Sequence, residues 1–346
     1  MEMRNLPGTE IEVSKICLGT MTFGQQNTAL EAHQQLNLAV KEYGVNFIDT
    51  AELYPVPPKE ETATLTETYI GEWLKDQRRD KVVIASKLIV HAPGMKWFRD
   101  GPSPTRENFE TALQDSLKRL GTDYIDLYQI HWPARNSTIF GSEGFNRQGE
   151  REHGLNLEEQ ASFMDEFVKA GKIRSWGLSN ENSWGVTQYS QLCQAKGFSR
   201  PSTIQNAYSL LNRSFESELD EACFRENVGL LAYSPLAMGL LTAKYLRDKN
   251  AKGRFTEFPG IYTRYMKPNV QPAIEAYAEL ADEFEMSPAV MALSFVNDRP
   301  FMTSNIIGAT SAQQLKENLS SAEVKLTSEQ LEKINEVHRK FPNIVT

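Results

Sequence analysis

Short apolar runs alternate with longer amphipathic stretches along most of this chain. Eight of the runs have the length of buried strands: Ile16 to Leu18, VNFI, KVVIAS, YIDLYQI, KIRSWGLS, STIQ, VGLLAYS and SNIIG. Strands that alternate with helices form parallel sheets, and eight such repeats are typical of a closed barrel. We therefore predict an α/β fold in which residues 1–346 form one domain, a (β/α)8 TIM barrel.

Turn residues and helical periodicity place further elements around the predicted barrel. The start of the chain predicts a β-hairpin around Pro7-Gly8. Helices are predicted over 30–43, 66–75, from Thr105 onward, and over 157–170, 183–196, 215–227, 270–284 and 288–298, with an additional C-terminal pair over 311–321 and 328–340. The stretches 133–156 and 246–268 show no periodicity. For the first, we expect either a functional loop or an unrecognised helix.

Composition and charge narrow the class of protein. The 37 basic and 45 acidic residues give a net charge of −8, which argues against a nucleic-acid partner or an anionic membrane. The three cysteines, Cys17, Cys193 and Cys223, are widely spaced, as expected for buried thiols in a reducing compartment. The start of the chain lacks a signal-peptide core, and the longest apolar stretch, 230–241, is too short to cross a bilayer. We expect a cytoplasmic monomer or weak homo-oligomer.

Four side chains suited to proton transfer follow predicted strands: Asp49, Tyr54, Lys87 and His131. Because all strands of a (β/α)8 barrel end on one face, these residues are expected to meet there. Each has an ordinary explanation when taken alone, such as a helix cap for Asp49, packing for Tyr54 or a core hydrogen bond for His131. Lys87 is different, because a lysine that ends an apolar strand needs a nearby carboxylate.

Together the four residues predict acid–base chemistry at a carbonyl group. A phenol with a pKa near ~10 is a poor acid, and we expect the Lys87 ammonium to lower the pKa of Tyr54 by favouring phenolate. Asp49 would hold the ammonium, and His131 would orient the carbonyl oxygen. This set suits protonation of an oxygen that becomes negative as hydride reaches its carbon. The sequence contains no HExxH or CxxC motif, so we predict no metal site.

The motifs DTAELY, IASK and QIHW resemble, in order and placement, the catalytic tetrad of the aldo-keto reductases. Similarity to that superfamily continues in LGTMTFG, GKIRSWGLSN, TIQNAYSLLNR, LAYSPLAMGLLTAKY and IIGATSAQQLKEN, and YPVPP and NAYSLLNRSFE resemble its bacterial Tas-type branch. The resemblance implies an NAD(P)H-dependent carbonyl reductase of alcohol dehydrogenase type, acting on a small-molecule carbonyl substrate. It also implies that NADPH, with NADH possible, is held without a Rossmann domain, and the absence of GxGxxG fits this.

The resemblance also assigns roles to individual residues. Tyr54 becomes the general acid, Lys87 its pKa partner, Asp49 the support of Lys87, and His131 the carbonyl-orienting residue. At the nicotinamide the expected residues are Ser179, Asn180, Gln205 and the stacking Tyr233; at the pyrophosphate, Ser234, Pro235, Leu236, Gly239 and the nearby Lys244; at the adenosine end, Gly308, Thr310, Gln314, Glu317 and Asn318.

The resemblance assigns two further groups of residues less directly, one for the 2′-phosphate of the cofactor and one for the substrate pocket. Arg254 and Arg264 are the charge candidates for the 2′-phosphate of NADPH, whereas Glu317 beside the ribose is compatible with NADH. The substrate pocket is expected to be lined by Phe23, Trp132 and Tyr208, with the 133–156 loop as its outer wall.

Two other functions stay open at this point. One is a cofactor-binding regulatory subunit, because potassium-channel β-subunits are relatives of the same superfamily. The other is a barrel lyase or isomerase that uses Lys87 as a Schiff-base amine. The presence of all four tetrad residues favours a reductase, while the physiological carbonyl compound depends on loops that set the pocket shape.

Overall fold

Eight parallel strands close into a barrel, which confirms the predicted (β/α)8 fold. The computed structural model describes residues 1–142, 144–149 and 156–345. Its strands are β1 (Met3–Asn5), β2 (Glu12–Ser14), β3 (Ile16–Gly19), β4 (Phe47–Asp49), β5 (Val83–Leu88), β6 (Ile125–Ile130), β7 (Ile173–Ser179), β8 (Thr203–Ala207), β9 (Gly229–Tyr233) and β10 (Met302–Ile307). Strands β3 to β10 pair in chain order, and β10 closes the barrel against β3.

In the described part of the chain, ten helices lie close to their predicted positions around the barrel, and two short helices between residues 244 and 257 were not predicted. They are α1 (Ala29–Asn37), α2 (Leu65–Leu74), α3 (Arg106–Leu120), α4 (Leu157–Lys169), α5 (Ser183–Lys196), α6 (Leu219–Glu226), α7 (Lys244–Arg247), α8 (Arg254–Glu257), α9 (Val270–Glu283), α10 (Pro288–Asn297), α11 (Ala312–Ser320) and α12 (Ser328–Lys340). The Thr105 hydroxyl accepts a hydrogen bond from the Asn108 amide and begins α3 as expected of an N-cap.

Some boundaries differ from the prediction for local reasons. The predicted helix over 30–43 is α1 followed by a π-helical turn, Leu38–Glu42. Strand β4 begins at Phe47, because the Val45 amide still bonds to the Ala39 carbonyl. The stretch 246–268 contains the short helix α8 and a 3-10 turn, Thr263–Tyr265. Within the predicted loop 133–156, residues 143 and 150–155 lie outside the described part of the chain. That the loop forms the outer wall of the substrate pocket therefore stays a prediction.

The predicted N-terminal hairpin is formed by β1 and β2 and closes the amino-terminal end of the barrel. Leu6 and Val13 of the hairpin are fully buried in one cluster with Cys17 and Phe47, which belong to β3 and β4. Since the hairpin covers this end, the carboxyl ends of the strands are the face at which a ligand is expected to enter. Among the described residues, no helix is both long and apolar enough to cross a membrane.

Candidate active site

A cavity of about 710 Å³ opens at the carboxyl ends of the barrel strands. Three of the predicted tetrad residues line it, namely Asp49, Tyr54 and His131. Lys87 lies behind them with no exposed surface. Because Asp49 ends β4, Lys87 lies in β5 and His131 follows β6, three neighbouring strands deliver the tetrad to one place.

The Lys87 ammonium has three acceptors around it. Its Nζ atom donates to Asp49 Oδ2 at 2.7 Å, to the Thr50 carbonyl at 2.8 Å and to the Tyr54 hydroxyl at 3.3 Å. Desolvation is the largest single effect and disfavours the charge, but the contacts with Asp49 and Tyr54 together outweigh it, and the pKa of Lys87 is raised. Lys87 is therefore a fixed cation next to the phenol, which does not fit a Schiff-base amine that must be neutral to attack.

The pKa of Tyr54 shifts in the opposite direction from the one expected from the sequence. The Lys87 ammonium does act to lower the pKa of the phenol, but desolvation is the larger effect, and the pKa of Tyr54 is raised overall. Burial penalises the phenolate more than one adjacent cation stabilises it, in part because Asp49 opposes that cation. Tyr54 consequently keeps its proton at neutral pH, the state required of an acid.

His131 faces Tyr54 across the site, with the two ring centroids 5.7 Å apart and the planes nearly perpendicular. Desolvation, helped by the positive charge of Lys87, holds the pKa of His131 well below its usual value. The side-chain amide of Asn180 donates a hydrogen bond to the backbone carbonyl of His131, at 2.9 Å. A neutral imidazole held in this way has one N–H group with which to orient an oxygen.

Two glutamines inside the barrel extend the tetrad. Gln205 Nε2 donates to Asp49 Oδ1 at 2.8 Å, and Gln129 lies within 3.5 Å of the same oxygen. Asp49 thus has a partner on each oxygen. Gln205 was predicted only as a cofactor contact and Gln129 was not predicted, although a glutamine within the apolar run YIDLYQI indicates a polar barrel interior.

All residues predicted to hold a cofactor line the same cavity. They are Ser179, Asn180, Gln205, Tyr233, Ser234, Pro235, Leu236, Gly239, Lys244, Arg254, Arg264, Gly308, Thr310, Gln314, Glu317 and Asn318. The Tyr233 hydroxyl donates to Asn180 Oδ1 at 2.7 Å, which fixes the tyrosine ring at the mouth of the barrel. On the opposite side, Gln314 Oε1 accepts from the Thr310 amide at 3.1 Å, where α11 begins.

Two arginines line this cavity, Arg254 and Arg264. Among the described residues, neither Arg254 nor Arg264 forms a salt bridge; Arg254 donates to the Met238 sulfur at 3.3 Å, and Arg264 to the Tyr265 hydroxyl at 3.4 Å. The backbone nearby is left-handed at Met238 and Gly239, with φ of 58° and 92°. Arginines without carboxylate partners among the described residues are suited to an anion, so this part of the cavity fits a dinucleotide phosphate.

The predicted substrate residues are placed differently. Trp132 lines the cavity, but Phe23 and Tyr208 have no exposed surface and do not. Phe23 belongs to the main hydrophobic core, and Tyr208 packs against Phe295 while its hydroxyl donates to Glu216. Both predictions were wrong because an aromatic residue near a strand end turns equally well to the core. Other apolar residues that line the cavity were not predicted, among them Met21, Leu53, Val56, Met95 and Phe140.

Comparison with known proteins agrees with this geometry. The sequence profile of the Aldo/keto reductase family matches residues 15–339. The chain is 44% identical over 345 residues to "Protein tas" of Escherichia coli (strain K12), with 99% of both chains covered. It is 32% identical to "Uncharacterized oxidoreductase YrpG" of Bacillus subtilis (strain 168), over 97% of this chain and 96% of that one. It is also 28% identical to "Probable voltage-gated potassium channel subunit beta" of Oryza sativa subsp. japonica, over 99% and 98%.

The protein belongs to the aldo/keto reductase family and is an oxidoreductase of that family. Members of the family generally use NAD(P)H.

Proposed function

We propose that this protein is an NADPH-dependent aldo/keto reductase that reduces an aldehyde or ketone to an alcohol, with Tyr54 as general acid. The observation that carries the proposal is the contact of the Tyr54 hydroxyl with the Lys87 ammonium, 3.3 Å away at the wall of an open cavity. A tyrosine that only packs has no need of a buried ammonium at its hydroxyl.

A bound nicotinamide dinucleotide supplies the hydride in this proposal. Tyr54 donates its proton to the carbonyl oxygen as negative charge develops there, and Lys87 stabilises the phenolate that is left. Asp49 balances the Lys87 charge through its 2.7 Å hydrogen bond. His131, neutral because of its burial, orients the same oxygen by donating a hydrogen bond.

Arg254 and Arg264 support NADPH as the preferred cofactor. Both line the cavity without a carboxylate partner among the described residues, and a 2′-phosphate would supply an anionic partner. Lys316 is exposed on α11 and does not line the cavity, so it is not a candidate. Glu317 lines the cavity and accepts from the Ser287 hydroxyl at 2.5 Å through Oε1, so its other oxygen can still accept from a ribose hydroxyl.

The substrate side of the cavity supports a carbonyl compound with an apolar substituent. Trp132 contacts His131 at a centroid distance of 4.9 Å and Phe140 at 6.3 Å, while Leu53 and Met95 pack in one cluster with Trp132. These four apolar side chains therefore continue directly from the tetrad. A cytoplasmic location is part of the same proposal.

A regulatory, cofactor-binding role is the second candidate, favoured by the similarity to the rice potassium channel subunit beta. The two functions differ in turnover. We expect NADPH to quench the tryptophan fluorescence at micromolar concentration and to be consumed across a panel of aromatic and aliphatic aldehydes and ketones. Tight NADPH binding without consumption would favour the regulatory role. If neither NADPH nor NADH binds at millimolar concentration, the proposed NADPH-dependent carbonyl reduction is wrong.

A further inference from the structure

A surface loop between β5 and α3 forms one wall of the cavity. The loop covers residues 92–102 and is closed at its base, where the Ala92 amide donates to the Pro102 carbonyl at 2.8 Å. Its Met95 side chain lines the cavity. Phe98 of the loop forms a small buried cluster with Leu53 and Ile89, and Met95 and Trp132 pack against this cluster. The position of this loop consequently sets the width of the cavity beside the tetrad.

An ion pair attaches this loop to the tetrad segment. Glu52, two residues before Tyr54, has a carboxylate that is only 1% exposed, and Arg99 of the loop contacts both of its oxygens. Glu52 Oε1 also accepts from the Ile89 amide at 2.6 Å, and Arg99 Nη2 donates to the Ile89 carbonyl at 3.0 Å. A two-pronged arginine contact of this kind fixes both distance and orientation.

The loop backbone needs that contact. Arg99 and Asp100 both have positive φ, 44° and 54°, a region that residues other than glycine rarely adopt. Gly101 follows with φ of 82°, and a Cβ atom there would lie 3.0 Å from the Pro93 carbonyl oxygen. Since two consecutive non-glycine residues are strained, side-chain contacts must hold the loop in this shape.

The base of the loop also orients Trp132. The Trp132 indole donates to the carbonyl of His91, the residue just before the loop, at 2.9 Å. Trp132 in turn lies against the His131 ring. A displacement of the loop base would therefore move the aromatic wall next to the tetrad.

We propose that Arg99 is a positioning residue that determines substrate specificity, because its ion pair with Glu52 holds the 92–102 loop as a wall of the substrate pocket. Arg99 acts through Met95 and Trp132 and does not touch the reacting atoms. The inference rests on the proposed carbonyl reductase activity of the same cavity.

The test compares Arg99→Gln, Arg99→Lys, Met95→Ala and the double variant Arg99→Gln/Met95→Ala. For 4-nitrobenzaldehyde, large enough to reach the wall, we expect Arg99→Gln to raise KM about tenfold, against less than about twofold for propanal and for the Kd of NADPH. Lysine keeps the charge but loses the two-pronged contact, so Arg99→Lys should give an intermediate KM. If Arg99 acts through Met95, the double variant should resemble the more impaired single variant.

Arg79→Gln is the matched control. Arg79 pairs with the buried Asp126 at 2.7 Å and is 19% exposed, against 13% for Arg99, but it lies at the amino-terminal ends of β5 and β6, away from the cavity. It should lower thermal stability without changing KM. A readout without turnover is the Kd of 4-nitrobenzyl alcohol for the NADP⁺ complex by calorimetry. Equal KM and Kd values in wild type and folded Arg99→Gln and Arg99→Lys would overturn the inference. A wild type that binds no NADPH would instead overturn the proposed function.

Discussion

Lys87 and Asp49 form a salt bridge of 2.7 Å that is almost completely shielded from solvent, with side-chain exposures of 0% and 3%. Buried ion pairs of this kind are costly to desolvate and add little to stability by themselves. The pair is therefore best explained by what it does for Tyr54, whose hydroxyl is the remaining side-chain acceptor of the ammonium among the described residues. In the proposed mechanism, proton transfer depends on a charge that the fold alone does not require.

Tyr54→Phe should abolish most of the carbonyl reduction. The ring keeps its packing while the proposed proton donor is lost, so kcat/KM should fall by about 10²–10⁴-fold. The affinity for NADPH, measured by fluorescence titration, should stay within about twofold. A correctly folded Tyr54→Phe variant with wild-type turnover would refute the role of Tyr54, because simple packing makes phenylalanine an adequate replacement.

Lys87→Met should damage both activity and stability. Without the ammonium, the Asp49 carboxylate keeps Gln205 but loses its only charged partner among the described contacts, and the free energy of unfolding should drop by about 3–5 kcal/mol. The double variant Asp49→Asn/Lys87→Met removes both charges and should recover much of that stability, but not the activity. Chemical denaturation separates the two effects. A double variant that is less stable than Lys87→Met alone would contradict a charge-based explanation.

How well the sequence predicts each part depends on how many contacts determine it. The barrel strands and the tetrad were predictable because strand periodicity and strand-end placement leave few alternatives. The raised pKa of Tyr54 was not predictable, because it depends on how deeply the phenol is buried, and the sequence does not give the depth of burial. Tyr208 and Phe23 point to the core because packing with Phe295 and neighbouring helices decides their orientation. The cavity wall that contains Met95 was not predictable, because the ion pair between Arg99 and Glu52 joins residues far apart in the chain and no local sequence pattern indicates it.

The affinity for NADPH should depend more steeply on ionic strength than the affinity for NADH. A contact of Arg254, Arg264 or Lys244 with the 2′-phosphate adds an interaction that salt screens. Titrations at several salt concentrations measure both slopes, and the variant among Arg254→Gln, Arg264→Gln and Lys244→Gln that flattens the NADPH slope identifies the residue. Lys316→Gln is the control, because Lys316 is exposed outside the cavity. Parallel slopes for the two cofactors in wild type would remove the assignment.

His131 should make the protein less stable in mild acid. Burial holds its pKa in the folded state well below the ordinary value of 6.5, whereas the unfolded chain has the ordinary value. Between these two values the unfolded state binds a proton that the folded state does not. The stability that comes from keeping His131 neutral is therefore fully present above pH 6.5. The free energy of unfolding then decreases as the pH falls towards the folded pKa, by up to about 1.4 kcal/mol per pH unit.

His131→Gln, which cannot titrate, tests this dependence. The difference in unfolding free energy between pH 7.5 and 5.5 should be smaller in this variant than in wild type. His338→Gln is a useful comparison, because His338 lies outside the cavity and its pKa is also lowered, first by desolvation and then by Arg213. It should remove a smaller part of the pH dependence and leave reductase activity intact. If His131→Gln and wild type lose stability equally in acid, the imidazole is not held neutral by burial, and its proposed role as a neutral donor to the carbonyl oxygen fails.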